Sequence, residues 1–571
     1  MNAPKIKPDS ITPPHSALQY LLSQEWVKIT LLVLLCYFIL FPNIGRWDLN
    51  NPDEPRYAQV AREMLKTGNY LVPHLGAEAY PHKPPLFFWL IALCSIKAGD
   101  VTAASARLPS ALAALGIILL TYFLGRKLYN PFTGFVAGLI LFTAIEFFWL
   151  ASRAHLDMTL SFWIVLSLFL FYCGYTDKQG GKWFYLMSYF FMGLAVLTKG
   201  PVGVIIPIIA ISLFLAVEKE FSKFKEIQLL KGLLIILGTV AIWLVPACIM
   251  GGLDFTKNIL LKENLGIIKN SFSHKAPFYF FLQYFPRDFL PWTFFIPSAA
   301  IYFWQQKRTR QTLDILFPLV WFFGGFIFLS SISSKRNIYL LPLYPAAALM
   351  MARFWCDAIT AERINPHKSL SNLFRIPLYL LFGILMLFSV AALLCAVFKV
   401  SFAEFLQPAG LTIYPACLLL GSVSLLGIYV TKQEVRIFAV FSLLIILMAG
   451  VFTYSVSIVL PNTNVSATTR LFVNKVESIV KPEDTLVYFR IDQSLFYFFK
   501  RDPSPKIMEF ENLAKRMKVP SPVYCLMQEH TFQESPKEIR QLVSICAEGF
   551  YGTKDKYYLL VNRPDCKALI P

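Results

Sequence analysis

Several signatures of soluble chemistry are missing from this chain. It has no glycine-rich phosphate loop, no Gly-x-Ser-x-Gly elbow and no dinucleotide fingerprint. That argues against a nucleotide-bound substrate and against a serine nucleophile on a strand–helix turn. It has no Cys-x-x-Cys and no His-x-x-x-His, the local spacings that gather zinc. No segment of the first half echoes in the second, as the paired halves of many transporters do. Met1 to Gln24 is polar and proline-rich, and the first apolar run shows no small-residue cleavage site, so no secretory signal is read there. Acidic residues are the scarcer charge: 35 Asp and Glu against 53 Lys and Arg, a net charge of +18. The basic residues are scattered between apolar runs rather than gathered in one soluble domain, which argues against nucleic acid as a partner.

What the chain has is apolar sequence. Of its 571 residues, 56% are hydrophobic, and mean hydropathy is +0.54. Repeated apolar runs near twenty residues define a polytopic α-helical membrane protein. Runs begin near Val27, Leu108, Phe132, Met158, Trp183, Val202, Leu229, Phe289, Asp314, Ile338, Ile376, Leu411 and Val435, or roughly thirteen transmembrane helices by length. The run from Leu86 to Ile96 is too short to cross and reads as interfacial or re-entrant. Six cysteines (Cys36, Cys94, Cys173, Cys248, Cys395 and Cys417) sit alone in apolar runs as small hydrophobes. Cys525, Cys546 and Cys566 fall in the polar tail, where two would pair in an oxidising compartment.

Charge orients the chain. With a cytoplasmic N-terminus, the basic loops at 125–127, 177–182, 218–231, 305–310, 362–375 and 432–436 fall inside, as the positive-inside rule requires. Five polar segments then share the outer, periplasmic side: Trp47–Leu86, Ser152–Asp157, Lys199, Gly251–Arg287 and Ser333–Asn337. Residues 1–460 read as the membrane domain, with 47–105 as its outer surface segment. Residues 461–571 read as a small periplasmic α/β domain. Its strand-like stretches lie at 485–489, 522–526 and 557–561, and its helices at 468–480 and 536–543.

The segment Trp47–Leu86 is the most unusual. Asn51-Pro52-Asp53-Glu54-Pro55 reads as a helix start, followed by apolar residues at helical spacing, which predicts a short amphipathic helix along the membrane surface. Two readings compete there. Asp53 and Glu54 cap a helix while Lys83 snorkels to headgroups; or carboxylates and cations line the mouth of a cavity that handles a lipid phosphate. Lys83 precedes two prolines that fix the backbone, which suits a phosphate clamp. Asp157, beside Arg153 and His155, reads either as a structural ion pair or as a second carboxylate near Asp53. Lys199 stands in a tight Gly-Pro turn that needs no lysine. The basic step Ser333–Tyr339 sits on the outer face, against the orientation rule, which suggests an anionic ligand. His74, His82, His155 and His274 share that side. No cofactor is required by this reading; should a divalent metal such as zinc bind, His82 and His274 are the candidates.

These residues carry a resemblance. DEPRYAQVAREML, KPPL at Lys83–Leu86, Arg107-Leu-Pro-Ser110, Ser152–Asp157, LTKGP and K-R-x-x-Y-L-L-P at Lys335–Pro342 together resemble bacterial GT-C glycosyltransferases. These enzymes use polyprenyl-phosphate-linked sugars and are related to protein O-mannosyltransferases. The branch most similar is the 4-amino-4-deoxy-L-arabinose transferase of lipid A. The resemblance implies the GT-C fold, an outward-facing cavity, an undecaprenyl-phosphate-linked donor and a lipid A phosphate as acceptor. By motif position it implies Asp53 as the main catalytic carboxylate with Asp157 as its partner. Arg56, Tyr57, Tyr80 and Lys199 would line the cavity, and Lys83 and Tyr339 would hold the carrier phosphate. That branch typically carries Glu where this chain has His82. Its arginine in the long outer loop has no clear equivalent here, Lys269 and Lys275 being nearest.

Two acceptor classes stay open at this point. A phosphate acceptor is already anionic and needs no strong base; a protein or glycan hydroxyl would need Asp53 as general base. A lipid or ion transporter is the reading from another class, but it predicts ionisable residues at mid-span, whereas this chain keeps them at the outer ends of its helices.

Overall fold

A computed structural model describes residues 24–50, 53–76, 78–177, 181–262, 275–307, 315–364, 371–398, 410–433, 436–462, 469–481, 483–491, 495, 497–499, 506–551 and 555–563. The chain is a multi-pass helical membrane protein. Helices α1 (Glu25–Leu40), α2 (Asp53–Thr67), α3 (Leu86–Ser95) and α4 (Ala103–Leu128) come first, with a two-stranded hairpin, β1 (His74–Leu75) and β2 (Glu78–Ala79), between α2 and α3. Then follow α5 (Pro131–Phe142), α6 (Ile145–Ala151), α7 (Leu156–Thr176), α8 (Lys182–Lys199), α9 (Val202–Val217) and α10 (Leu229–Lys257). The second half holds α11 (Phe280–Asp288), α12 (Ile296–Lys307), α13 (Leu316–Ser331), α14 (Tyr344–Ile364), α15 (Ser371–Val397), α16 (Ile413–Gln433) and α17 (Ile437–Tyr454).

A helix follows each of the expected apolar starts, but not every run makes one uninterrupted span. Among the described residues, seven helices are long and apolar enough to cross a membrane, or eight if α5 and α6 form one bent span. The pair bends by 72° at its break, and α9 and α13 are apolar but shorter. The run at Phe289 is broken by a 3-10 turn, Trp292–Phe295, before α12.

The spans pack by close approach rather than by hydrophobic contrast, since lipid is as apolar as leucine. Where α4 meets α5, a Cβ on Gly134 would lie 2.3 Å from the Tyr122 carbonyl oxygen, so only glycine lets these two backbones come together. α4 also lies against α3 and α7, and α7 against α8. This central group carries the site at one end.

Helix α2 differs from the expected surface helix. Ten of its fifteen residues are buried, including Asp53, Glu54 and Glu63. It is covered on one side by α3 and α4 and on another by the tail, whose Tyr497 is buried in the same apolar cluster. Its polar side chains are therefore satisfied internally: Glu63 accepts from Gln59 Nε2 and from the Gly76 N–H, both at 2.8 Å, tying the hairpin to the helix.

In the tail, α18 (Thr469–Ile479) precedes a five-stranded sheet in the order β4-β3-β5-β7-β6. Strands β3 (Thr485–Phe489), β4 (Lys506–Ile507) and β5 (Val523–Gln528) run parallel; β7 (Asp555–Val561) joins antiparallel to β5 and to β6 (Ser544–Tyr551). Cys525 is free and buried in β5, and Cys546 is disulfide-bonded.

Candidate functional site

The site begins with an anchor. Glu54, one residue into α2, is fully buried and faces Arg107 of α4, whose Nε and NH2 donate to its carboxylate at 2.8 and 3.0 Å. The same guanidinium donates to the carbonyls of Ile44, Trp47 and Asp48 at 2.7 to 2.9 Å. Glu54 also accepts from the backbone N–H of Ala154 at 2.7 Å, and Arg153 lies 3.6 Å away. Burial alone would raise the Glu54 pKa; Arg107 and Arg153 outweigh it and hold the group down at about 2. A buried carboxylate is tolerated only when paired and hydrogen-bonded, as here. Glu54 thus locks α2 to the segment before α7. Of the two acidic residues at this helix start, it is the structural one.

Asp53 faces the other way. Its Oδ2 accepts from Arg336 NH2 at 3.0 Å, Arg56 NH1 lies 3.5 Å from its Oδ1, and His155 Nε2 lies 3.7 Å from Oδ2. Burial would raise its pKa, but His155 and Arg336 together hold it well below the usual carboxylate range. Asp157, in the first turn of α7, pairs with His155 Nδ1 at 3.1 Å and accepts from Lys199 Nζ. Lys199 ends α8, and Gly200 follows at φ 97° and ψ −159°, a conformation essentially confined to glycine, so the chain reverses and leaves the ammonium pointing at Asp157. Lys199 Nζ also lies 4.2 Å from the centroid of the Tyr339 ring. Lys83, half-buried, lies within electrostatic reach of the Tyr339 hydroxyl.

Four of the five outer segments therefore meet: Asp53 and Lys83 from the first, His155 and Asp157 from the second, Lys199, and Arg336 and Tyr339 from the last. The remaining one touches them through its described end, where Lys275 bridges backbone-to-backbone with Ser334 and its side chain is exposed. Lys269 and His274 lie outside the described residues. Tyr57 and Tyr80 are buried on either side of Phe88, with ring centroids 5.8 and 6.1 Å from it. Tyr57 also meets the His155 ring edge-on at 6.4 Å. His82 is exposed and lies edge-on to Tyr80 at 5.0 Å. Among the described residues, no group of three or more His, Cys, Asp or Glu gathers as a metal site.

Two members of this cluster are given no role of their own in the sequence reading. His155 reads there as a neighbour of Asp157 and one of four outer-side histidines, because nothing local shows that it reaches Asp53 on another helix. Arg336 is the one cation of the basic step that points into the cluster. Lys335 is spent on the carbonyls of Ala276, at 2.9 Å, and Ile332. Asn337 donates to Glu146 and Asp288 at 2.9 and 3.2 Å. The signal for Arg336 was its place on the wrong side of the membrane for a basic residue.

Residues 82–245 match the dolichyl-phosphate-mannose-protein mannosyltransferase family. An uncharacterised protein of Aquifex aeolicus is 32% identical over 353 residues, covering 61% of this chain and 67% of that one. An undecaprenyl phosphate-alpha-4-amino-4-deoxy-L-arabinose arabinosyl transferase 2 of Proteus mirabilis is 28% identical over 361 residues, covering 60% of this chain. The match spans 64% of that relative's length, just under two thirds. Among solved structures, ArnT from Cupriavidus metallidurans bound to undecaprenyl phosphate superposes with a TM-score of 0.76 at 18% identity, over 94% of this chain and 98% of that one. The apo oligosaccharyltransferase of Archaeoglobus fulgidus superposes with a TM-score of 0.52 at 15% identity, over 88% and 69%.

The bundle of membrane helices has the GT-C fold, and the chain belongs to the GT-C family of membrane glycosyltransferases. Within that family it is similar to the aminoarabinose lipid A transferase branch.

Proposed function

We propose that this protein transfers a sugar from undecaprenyl phosphate to a lipid A phosphate on the periplasmic face of the bacterial inner membrane. The observation that carries this reading is the charge balance around Asp53. Two carboxylates, Asp53 and Asp157, stand among Arg56, Lys83, Lys199, Arg336 and the His155 ring. Cations outnumber carboxylates, so the cluster favours an anionic ligand such as a carrier phosphate. The names of the arabinosyl transferase relatives support the donor, and their branch supports the acceptor.

In this reading an oxygen of the acceptor phosphate attacks the anomeric carbon. The bond from that carbon to the carrier phosphate breaks, and undecaprenyl phosphate leaves with the bonding electron pair. Lys83 and Tyr339 hold the leaving phosphate, so its growing charge meets cations already in place. Asp53 orients the sugar, with Asp157 behind it. Arg56, Tyr57, Tyr80 and Lys199 shape the cavity, and Lys275 and Lys269 supply the outer-loop charge. Asp53, held far below the usual carboxylate range, is a weak base and suits an acceptor that arrives deprotonated.

The test is mass spectrometry of lipid A from cells with and without this protein, followed by transfer from a purified undecaprenyl-phosphate-linked aminosugar. A sugar added at a lipid A phosphate supports the reading. The family matched over residues 82–245 is named for protein mannosylation, which favours a hydroxyl acceptor as the second reading. Unchanged lipid A together with glycosylated protein would establish that alternative.

A further inference from the structure

We propose that His155 is a positioning residue that binds Asp53 and Asp157 into one unit by carrying two protons on its ring, and that this bridge sets the alkaline limit of turnover. The inference rests on the transferase reading above for its kinetic consequence, but the bridge itself rests on geometry. The ring is buried, with Nδ1 3.1 Å from Asp157 Oδ2 and Nε2 3.7 Å from Asp53 Oδ2. A neutral imidazole carries one ring proton; a carboxylate within ion-pair distance of each nitrogen favours the imidazolium. The Asp157 backbone N–H lies 3.4 Å from Nδ1 and would need that nitrogen bare. In the proposed bridge the proton on Nδ1 faces the closer carboxylate, the stronger acceptor, and the bond from the Asp157 N–H is given up.

The surroundings leave His155 this role alone. Each aspartate already has its own cation: Arg336 and Arg56 at Asp53, Lys199 at Asp157. Arg336 and Lys199 each reach the second carboxylate only through space, whereas the His155 ring places one nitrogen within ion-pair distance of each. Arg153 and Glu146 also lie within its electrostatic reach or beside it, and the Tyr57 ring packs edge-on against it. Burial pushes the His155 pKa down, and the two carboxylates more than reverse that, leaving it above its ordinary 6.5. A group raised in this way contributes stability that is fully present below pH 6.5 and lost as pH rises through the raised value. Above it the neutral ring releases one aspartate, and the two carboxylates, no longer bridged, repel and separate.

The experiment measures kcat and KM for transfer from an undecaprenyl-phosphate-linked aminosugar to lipid A, from about pH 6 to about pH 10. Wild type, His155→Gln and His155→Lys are compared, with melting temperature followed over the same range. The wild-type kcat is expected to fall on the alkaline side. His155→Gln is expected to lose about 100-fold in kcat, with little change in KM, and to lose the alkaline limb. His155→Lys keeps the charge and is expected to recover part of kcat, with the limb moved toward the lysine range. A histidine that served packing alone would lower the melting temperature in both variants and leave the limb where it is. The proposal is overturned by a wild-type kcat that is flat with pH, or by a folded His155→Gln with wild-type kcat. Should His155→Gln not fold, the wild-type profile and His155→Lys still decide. Should wild type transfer nothing, the transferase reading fails by itself. The bridge is then read from stability: wild type loses melting temperature on the alkaline side and His155→Lys does not, whereas identical curves would overturn it.

Discussion

Arg336 reaches across 283 residues of chain to place its NH2 3.0 Å from Asp53 Oδ2. The contact joins the start of a buried outer helix to the last residue before the α14 region. It brings the start of α2 beside the residue that opens the 3-10 turn Asn337–Leu343.

Among the described residues, removing that arginine leaves Arg56 and His155 as the ion-pair partners of Asp53. Arg336→Ala is expected to lower kcat for sugar transfer by about 100-fold, the scale of losing one preorganised cation or donor at developing charge. Arg336→Lys, which keeps the charge but not the planar fork, is expected to recover only part of it. Steady-state transfer kinetics on purified protein check this; a wild-type kcat in Arg336→Ala would remove the residue from the site.

Glu54 and Arg107 behave differently, because they hold the fold. Breaking a buried pair from one side costs about 3–5 kcal/mol, so Glu54→Gln and Arg107→Ala are expected to lower the melting temperature sharply and reduce yield. The pH dependence follows from the depressed Glu54 pKa. Its stabilisation is fully present above 4.5 and is lost as pH falls toward about 2. Wild type should therefore lose melting temperature more steeply than Glu54→Gln over that acid range. Parallel curves would show that the pair contributes nothing.

Asp157 and Lys199 should be coupled. Asp157→Asn takes from Lys199 its ion-pair partner, and Lys199→Met leaves Asp157 facing the His155 ring without the lysine. The double variant removes both charges. It is expected to cost less than the sum of the singles, with a coupling of about 1–3 kcal/mol in stability. A thermal double-mutant cycle measures it; strict additivity would mean that the contact carries no energy.

The tail bears on the site through α2. Arg62 of α2 donates to the Tyr497 carbonyl at 2.6 Å, lies 4.4 Å from the centre of that ring, and pairs with Asp100 at 2.6 Å. Tyr497→Ala removes the ring and the hydroxyl that donates to the Val101 carbonyl at 3.2 Å. Limited proteolysis should then release the tail sooner, and kcat should fall several-fold as α2, which carries Asp53, loosens. Unchanged cleavage would show that the tail is held elsewhere.

Much of this was legible without coordinates. The apolar runs, the helix starting at Asp53, the short run at Leu86 and the tail strands at 485–489 and 557–561 each follow from local periodicity and turn chemistry. Asp53, Lys83, Asp157 and Lys199 stood out because polar groups at the end of an apolar run demand a reason, and Tyr339 followed from the motif resemblance. Harder to see was which acidic residue did which work. Asp53 and Glu54 are neighbours, yet one is held by Arg107 in the core and the other looks into the pocket. On a helix, successive side chains point about 100° apart, and only the packing says which direction is inward.

By itself the sequence determined what must avoid lipid and what must seek it, because the transfer cost of each residue is a local property that length and order express directly. It determined the succession of helices and the identity of the polar interruptions. Only the tertiary structure decided that His155 lies between two aspartates, that Arg336 rather than Lys335 enters the pocket, and that the outer helix is enclosed instead of lying on the membrane. Those outcomes depend on distances between residues tens to hundreds of positions apart, and such distances exist only once the helices have packed.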